Sequence, residues 1–429
     1  MNIRAEFDHL HSDTRNARDA GDIWRRRIVA ALDGMRGGTI RLRDVHGSTL
    51  LGRAEGDAPL SVTLQVHDPA FYHRVALHGS VGAGEAYIDR QWDCDELVSL
   101  VRLLVRNRDR LDAMEGGLAR FGAWALRGWE ALRPNTRSGS RRNISAHYDL
   151  GNALFEIFLS QDMMYSSAIY ADASESLEVA SRRKLDAICT SLALLPDDHV
   201  VEIGTGWGGF AIHAASHYGC RVTTTTLSNE QRDLALQRIA AAGLSDRITV
   251  LLEDYRDLHG QYDKLVSIEM IEAIGAKQLP TYFAQLSALL KPTGSALIQA
   301  ITIEDHRYRR ALKDVDFIKR HVFPGSFIPS VGAMLAAMGA NSDLALMQLR
   351  DIGPSYALTL REWRRRFEER REDVSALGYD ERFMRLWRFY LCYCEGGFLE
   401  RSISDVQMLF ARPGYRADVE RTSVATNTA

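Results

Sequence analysis

The chain has 429 residues, 46% of them hydrophobic and 25% charged, with a formal net charge of -3. That is the make-up of a globular protein with a large core and room for two or three domains. It excludes a disulfide scaffold, because Cys94, Cys189, Cys220, Cys392 and Cys394 are scattered, and the negative charge argues against a general nucleic-acid binder.

The sparse cysteines favour a reducing cytoplasm. Cys392 and Cys394 sit in LCYCEG, a buried apolar run, and no metal is expected there. The start, MNIRAEFDHLHSD, lacks the apolar core of a signal peptide, and no stretch reaches the roughly 18 apolar residues of a membrane span. Arginine is uneven: residues 101–142 hold ten Arg against four acidic residues, and Arg361 to Arg371 is a second cluster. Basic patches on an acidic chain suit an anionic membrane surface.

In chain order, the Gly-punctuated alternation from Gly38 to Val66 predicts short antiparallel strands. Asp95 to Asn107 predicts a helix with Asp95 as its N-cap. An Arg- and Trp-rich helical pattern follows from Leu118 to Leu132, with Phe121, Trp124 and Trp129 on one face, as in a helix lying in a membrane interface. Residues 1–133 are therefore expected to form a smaller N-terminal α+β, lipid-associating domain, and PNTRSGSRRN (134–143) a linker. Beyond it, the apolar runs HVVEI, RVTTTTL, ITVLL, YDKLVSI and SALIQAI alternate with helical stretches. Strands separated by helices predict a parallel sheet covered on both faces, over a catalytic domain of residues 144–416. Residues 417–429 read as a flexible tail.

HVVEI runs directly into Gly204-Thr205-Gly206-Trp207-Gly208-Gly209 and then a helical pattern. Glycines 204, 206 and 209 fit G-x-G-x-x-G, a tight turn that lets a nucleotide approach the backbone. Alone the motif also fits NAD and FAD sites. A NAD enzyme places an acid about 20 residues on, for the ribose. Here that position reads Thr224-Thr225-Thr226-Leu227-Ser228, followed by Asn229-Glu230-Gln231. Hydroxyls and an amide still bond a ribose. The next strand ends in Glu253-Asp254-Tyr255-Arg256-Asp257, polar and aromatic groups suited to an adenine. The fold expected is α/β, a Rossmann-like S-adenosylmethionine-dependent methyltransferase, with a NAD-linked oxidoreductase and a catalytically inactive lipid-binding protein as rivals.

HYDLGNALFEIFLSQDMMYSSAIY (His147 to Tyr170), VVEIGTGWGGFAIHAA, TLSNEQ, EDYRDL, EMIEAIG and FPGSFIPS, with the stretch from Tyr356 to Trp363, resemble the cyclopropane-fatty-acyl-phospholipid synthase family. The resemblance covers residues 143 to 413, and GEAYIDRQWDCDEL extends it into the N-terminal part. It implies methyl transfer from S-adenosylmethionine to a cis double bond of a phospholipid acyl chain, followed by proton loss and ring closure to a cyclopropane. The related outcome is a methyl- or methylene-branched chain. The implied cofactor contacts are Tyr165, Ser166, Gly204, Gly206, Gly209, Thr226, Leu227, Ser228, Gln231, Tyr255 and Arg256.

The resemblance also implies bicarbonate as the active-site base, held at Ser167, Glu272, Gln299, Ile301 and Tyr356. Ser167 stands where Cys is usual and Gln299 where His is usual. Serine keeps a hydroxyl and a backbone donor, but Gln cannot carry charge as His can. Glu269 is a second acid three residues before Glu272; at helical spacing the two share a face, yet the resemblance singles out Glu272. Tyr165, Tyr170, Tyr356 and Phe155 are candidates for cation–π contact. Implied partners are unsaturated phospholipids in a membrane, with the protein on its cytoplasmic face, no nucleic acid, and a homodimer left open.

Overall fold

The computed structural model describes residues 23–114 and 150–416. The segments expected to form an interfacial helix with Trp124 and Trp129, a linker and a tail, together with His147 and Tyr148, lie outside the described residues. Among those described, no helix is long and apolar enough to cross a membrane.

The chain divides into two compact units. The first joins the N-terminal residues to Lys313–Pro324 and Arg364–Ser402, so the boundaries differ from the contiguous domains expected from the sequence. Its sheet has the order β2-β1-β3-β4, from β1 (Gly38–Asp44), β2 (Gly47–Arg53), β3 (Leu60–Val66) and β4 (Trp92–Cys94). The sequence suggested antiparallel strands throughout, but β1 and β3 pair in parallel. Asp95 does not cap the helix that follows, which runs Leu97–Arg106. Its Oδ1 instead accepts from Thr63 N and Glu96 N, tying the helix entry to β3. The late segments belong to this unit because aromatic packing holds them: Phe317 lies 4.6 Å from Phe389 and Tyr87 5.6 Å from Phe389, ring centre to ring centre. Gly84 makes room, since a Cβ there would stand 2.3 Å from the Phe317 ring. Phe389 and Cys392 are carried by the helix Glu381–Leu399, whose LCYCEG run is largely buried as the apolar pattern implied.

The second unit is an α/β sheet of order β10-β11-β9-β8-β5-β6-β7. The strands β5 (His199–Ile203), β6 (Arg221–Thr225), β7 (Ile248–Leu251), β8 (Tyr262–Ile268) and β9 (Leu290–Ile303) are the five apolar runs, and they pair in parallel. Their residues alternate between two cores: Val201, Ile203, Leu265 and Ile298 face one, Val200, Val222, Val266 and Leu297 the other. Burial on both faces is why they read as unbroken apolar runs. The helices Leu177–Ser191 and Gly209–Tyr218 supply Ile188, Phe210 and Ala214 to one core, and Leu279–Leu289 and Val331–Asn341 supply Phe283, Leu286 and Met334 to the other. Two further strands, β10 (Ala345–Asp351) and β11 (Ile403–Ala411), extend the sheet antiparallel beyond β9. The Rossmann-like architecture read from the sequence is present.

Candidate active site

After β5 the chain turns through Gly204 and Gly206, at φ 102° and 51°, a region that strains an L side chain. A Cβ on Gly206 would meet nothing within 4 Å, so this glycine borders open space. Gly209, at the start of its helix, is a packing position: a Cβ there would stand 2.5 Å from the Asp162 carbonyl oxygen and 2.6 Å from Met164 Sδ. The close approach seats the segment that continues into Tyr165, Ser166 and Ser167.

At the end of β6, Thr226 donates to Gln231 Oε1 at 2.8 Å, and Ser228 caps the helix Asn229–Ala241 by accepting from Gln231 N. Leu227 lies between them. Beyond β7, Arg256 is held by both oxygens of Asp254, at 2.8 and 2.6 Å. Tyr255 is buried, and its hydroxyl, without a hydrogen-bond partner, is pushed up to about 12 by that burial. The candidate nucleotide positions thus gather at the carboxyl ends of adjacent strands, where such sheets bind ligands. The ring of Tyr165 stands 5.2 Å from both Phe155 and Trp363, and Tyr356 lies 6.1 Å from Trp363.

Two buried charges went unread in the sequence. Lys184 is fully buried and donates to Ser166 Oγ at 2.9 Å; burial lowers its pKa, opposed by Asp162, Glu269, Asp405 and Glu202. Glu202 on β5 is pushed up to about 8 by burial, although the Thr224 hydroxyl donates to it at 2.6 Å.

The positions expected to hold an anion do come together, but around Glu269. Glu269 Oε1 accepts from the backbone N of Ser167 and from Gln299 Nε2, each at 2.8 Å, while Oε2 accepts from the Tyr356 hydroxyl at 2.7 Å. The Ser167 hydroxyl turns away to the Ala168 carbonyl. Glu269 is not helical, as its spacing from Glu272 suggested. It sits at φ 49°, ahead of the short helix Ile271–Ile274, a conformation costing an L residue roughly 1–2 kcal/mol. Glu272 stands apart from that cluster of donors: its Oε1 accepts from Ile301 N at 2.6 Å, and its Oε2 is buried without a hydrogen-bond partner. Burial, reinforced by the charge of Glu269, pushes Glu272 up to about 8, so it is largely protonated at neutral pH.

The stretch 135–408 matches the family model described as mycolic acid cyclopropane synthetase. The chain belongs to the mycolic acid cyclopropane synthetase family. It is 39% identical over 376 residues to the tuberculostearic acid methyltransferase UfaA1 of Mycobacterium tuberculosis, covering 85% of this chain and 86% of that one. To the cyclopropane-fatty-acyl-phospholipid synthase of Escherichia coli K12 it is 37% identical over 369 residues, covering 85% and 92%. Among solved structures, the mycolic acid cyclopropane synthase CmaA1 complexed with SAH and CTAB superposes with a TM-score of 0.59 at 26% identity, over 63% of this chain and 98% of that one. The protein is an S-adenosylmethionine-dependent methyltransferase of this family.

The residues present fit that cofactor. The open face at Gly206 and the polar ends of β6 and β7 lie along the carboxyl ends of the adjacent strands β5, β6 and β7. They do not fit the bicarbonate ion that the resemblance implied. Its donors Ser167 N, Gln299 Nε2 and Tyr356 OH are taken by Glu269, and Ile301 N by Glu272. A further anion there would compete with the Glu269 and Glu272 carboxyl groups for those donors.

Proposed function

We propose that the protein methylates a cis double bond in the acyl chain of an unsaturated phospholipid, with Glu269 as the base in place of bicarbonate, and that its product is a methyl- or methylene-branched chain. The observation that carries this reading is the Glu269 carboxylate resting on Ser167 N, Gln299 Nε2 and Tyr356 OH. Of the two departures from the ring-forming pattern, the Gln299 side chain addresses that carboxylate directly, while Ser167 reaches it only through its backbone N. The relatives supply the substrate class, since one is named for a fatty acid and the other for a fatty-acyl phospholipid. Such a lipid is met at a membrane surface, with the protein bound peripherally.

Bound S-adenosylmethionine supplies an electrophilic methyl group. Methylation of one alkene carbon leaves a cation on the other. Loss of a methyl proton with ring closure gives a cyclopropane; a hydride shift first, which moves the cation to the methylated carbon, then loss of a methyl proton, leaves a methylene branch. Three of the carboxylate's roughly four acceptor sites already serve donors, which leaves one open to the proton and slows its transfer, so the cation lives longer and the shift is favoured. Negative charge on Glu269 and the rings of Tyr165, Tyr356 and Trp363 stabilise that cation in a site shielded from water.

Mass spectrometry and proton NMR of lipids from cells expressing the protein test the reading. We expect chains heavier by one CH2 that retain a double bond, and turnover indifferent to added bicarbonate. A cyclopropane as the sole product, or turnover that needs bicarbonate, overturns it.

A further inference from the structure

Strands β9 and β11 pair antiparallel, with Gln299 opposite Gln407 and Ile301 opposite Asp405. Side chains alternate along a strand, so these four residues share one face of the sheet. Asp405 therefore lies diagonal to Gln299. Gln299 Nε2 donates both to Glu269 Oε1 at 2.8 Å and to Asp405 Oδ2 at 2.9 Å. Gln407 Nε2 donates to Gln299 Oε1 at 3.1 Å, which fixes the amide the right way round.

Asp405 is fully buried, and its Oδ1 has no hydrogen-bond partner. The ionisable groups around it are the carboxyls of Glu269, which shares the donor Gln299 Nε2 with it, and Glu272, with the ammonium of Lys184 on the helix Leu177–Ser191. Burial raises Asp405 well above the usual carboxyl range, and the neighbouring Glu269 raises it further. A bare carboxylate oxygen facing two other acids, with no donor, is untenable in a dry interior. A carboxylic acid answers this: Oδ2 still accepts from Gln299, and the proton removes the second negative charge beside Glu269.

We propose that Asp405 is the proton-holding half of an acid pair with Glu269, a positioning residue that keeps the pair at one negative charge. This rests on the reading of Glu269 as the base. In the resting site Asp405 donates to the Glu269 carboxylate. When a C–H bond of the substrate's new methyl group breaks, its electron pair forms the carbon–carbon double bond and quenches the cation. The proton lands on Glu269. The pair then holds two protons and no charge, and one must pass to water before the next turnover. Two negative charges side by side would repel in this interior, and the shared proton removes that conflict.

The test uses the full chain with Asp405→Asn, Asp405→Leu and Glu269→Gln. Asparagine copies the protonated acid, one acceptor and one donor, without titrating. Asp405→Asn should hold kcat within about tenfold and leave the cofactor Kd unchanged, whereas Asp405→Leu, which lacks the donor, should lose about a further tenfold. The acid side of the pH–rate profile should change in both. The infrared C=O stretch of a buried protonated carboxyl should be weaker in both than in the native protein. Should Asp405→Leu fail to fold, the asparagine variant decides by its pH profile and infrared band. Native pH profiles in every folded variant, or an unchanged infrared band, would overturn the pairing. The control separates the two readings: native turnover in Glu269→Gln removes the base and the pairing with it. An inactive Glu269→Gln beside unaltered Asp405 variants removes the pairing alone.

Discussion

The hydroxyl of Tyr356 donates to Oε2 of Glu269 at 2.7 Å, across 87 positions of sequence. Tyr356 stands on the first turn of the helix Gly353–Glu369, and Glu269 on the strained residue that follows β8. Removing that donor in Tyr356→Phe should lower kcat by about 10- to 100-fold, the range for a hydrogen bond to a charged group. The cofactor Kd, read by calorimetry, should stay within error. A fall in cofactor affinity with native kcat would mean the tyrosine serves the nucleotide instead.

The two neighbouring acids should respond differently to the same change. Glu269→Gln removes the charge facing the substrate and should cost roughly 10²–10³ in turnover. Glu272, pushed up to about 8, is largely neutral at pH 7, and a glutamine still accepts from Ile301 N. Glu272→Gln should then cost at most about fivefold, since the bond from Ile301 N is kept and little charge is lost. Steady-state rates of both variants on the same lipid decide it, and the reverse order would return the charge to Glu272.

Gly206 and Gly209 come from one motif, yet their substitutions should fail in separate ways. Gly206→Asp enters open space at a φ that aspartate tolerates, so thermal stability should fall by only about 1 kcal/mol while cofactor binding disappears. Gly209→Ala drives a methyl group into the Asp162 carbonyl and Met164, and should cost about 1–3 kcal/mol of stability. Paired melting curves and titrations separate the two.

Glu202 makes stability depend on pH. Its folded pKa, about 8, lies above the ordinary 4.5, so folding favours the protonated form. The stabilisation is complete below the ordinary pKa and is lost as pH rises toward 8, at up to about 1.4 kcal/mol per pH unit. Glu202→Gln should flatten the decline of Tm between pH 5 and 8. A decline as steep as the native one would show that Glu202 is already ionised in the folded protein.

The sequence by itself determined the parallel part of the sheet, the glycine turn and the choice of cofactor. These are local signals: a strand buried on both faces must be apolar along its length, and a turn that borders a ligand must use glycine. It also named Ser167, Gln299, Ile301 and Tyr356 through the family pattern. Only the tertiary structure decided which acid those residues serve. Glu269 looked like a helical neighbour of Glu272, because spacing assumes regular backbone and its left-handed φ breaks that assumption. Asp405 was invisible for a related reason. Its importance comes from the register that sets β11 diagonal to Gln299, and pairing across 106 residues leaves no trace in local pattern. Lys184 and Glu202 were likewise read past, since burial is a property of the packed chain and not of a charged letter in it.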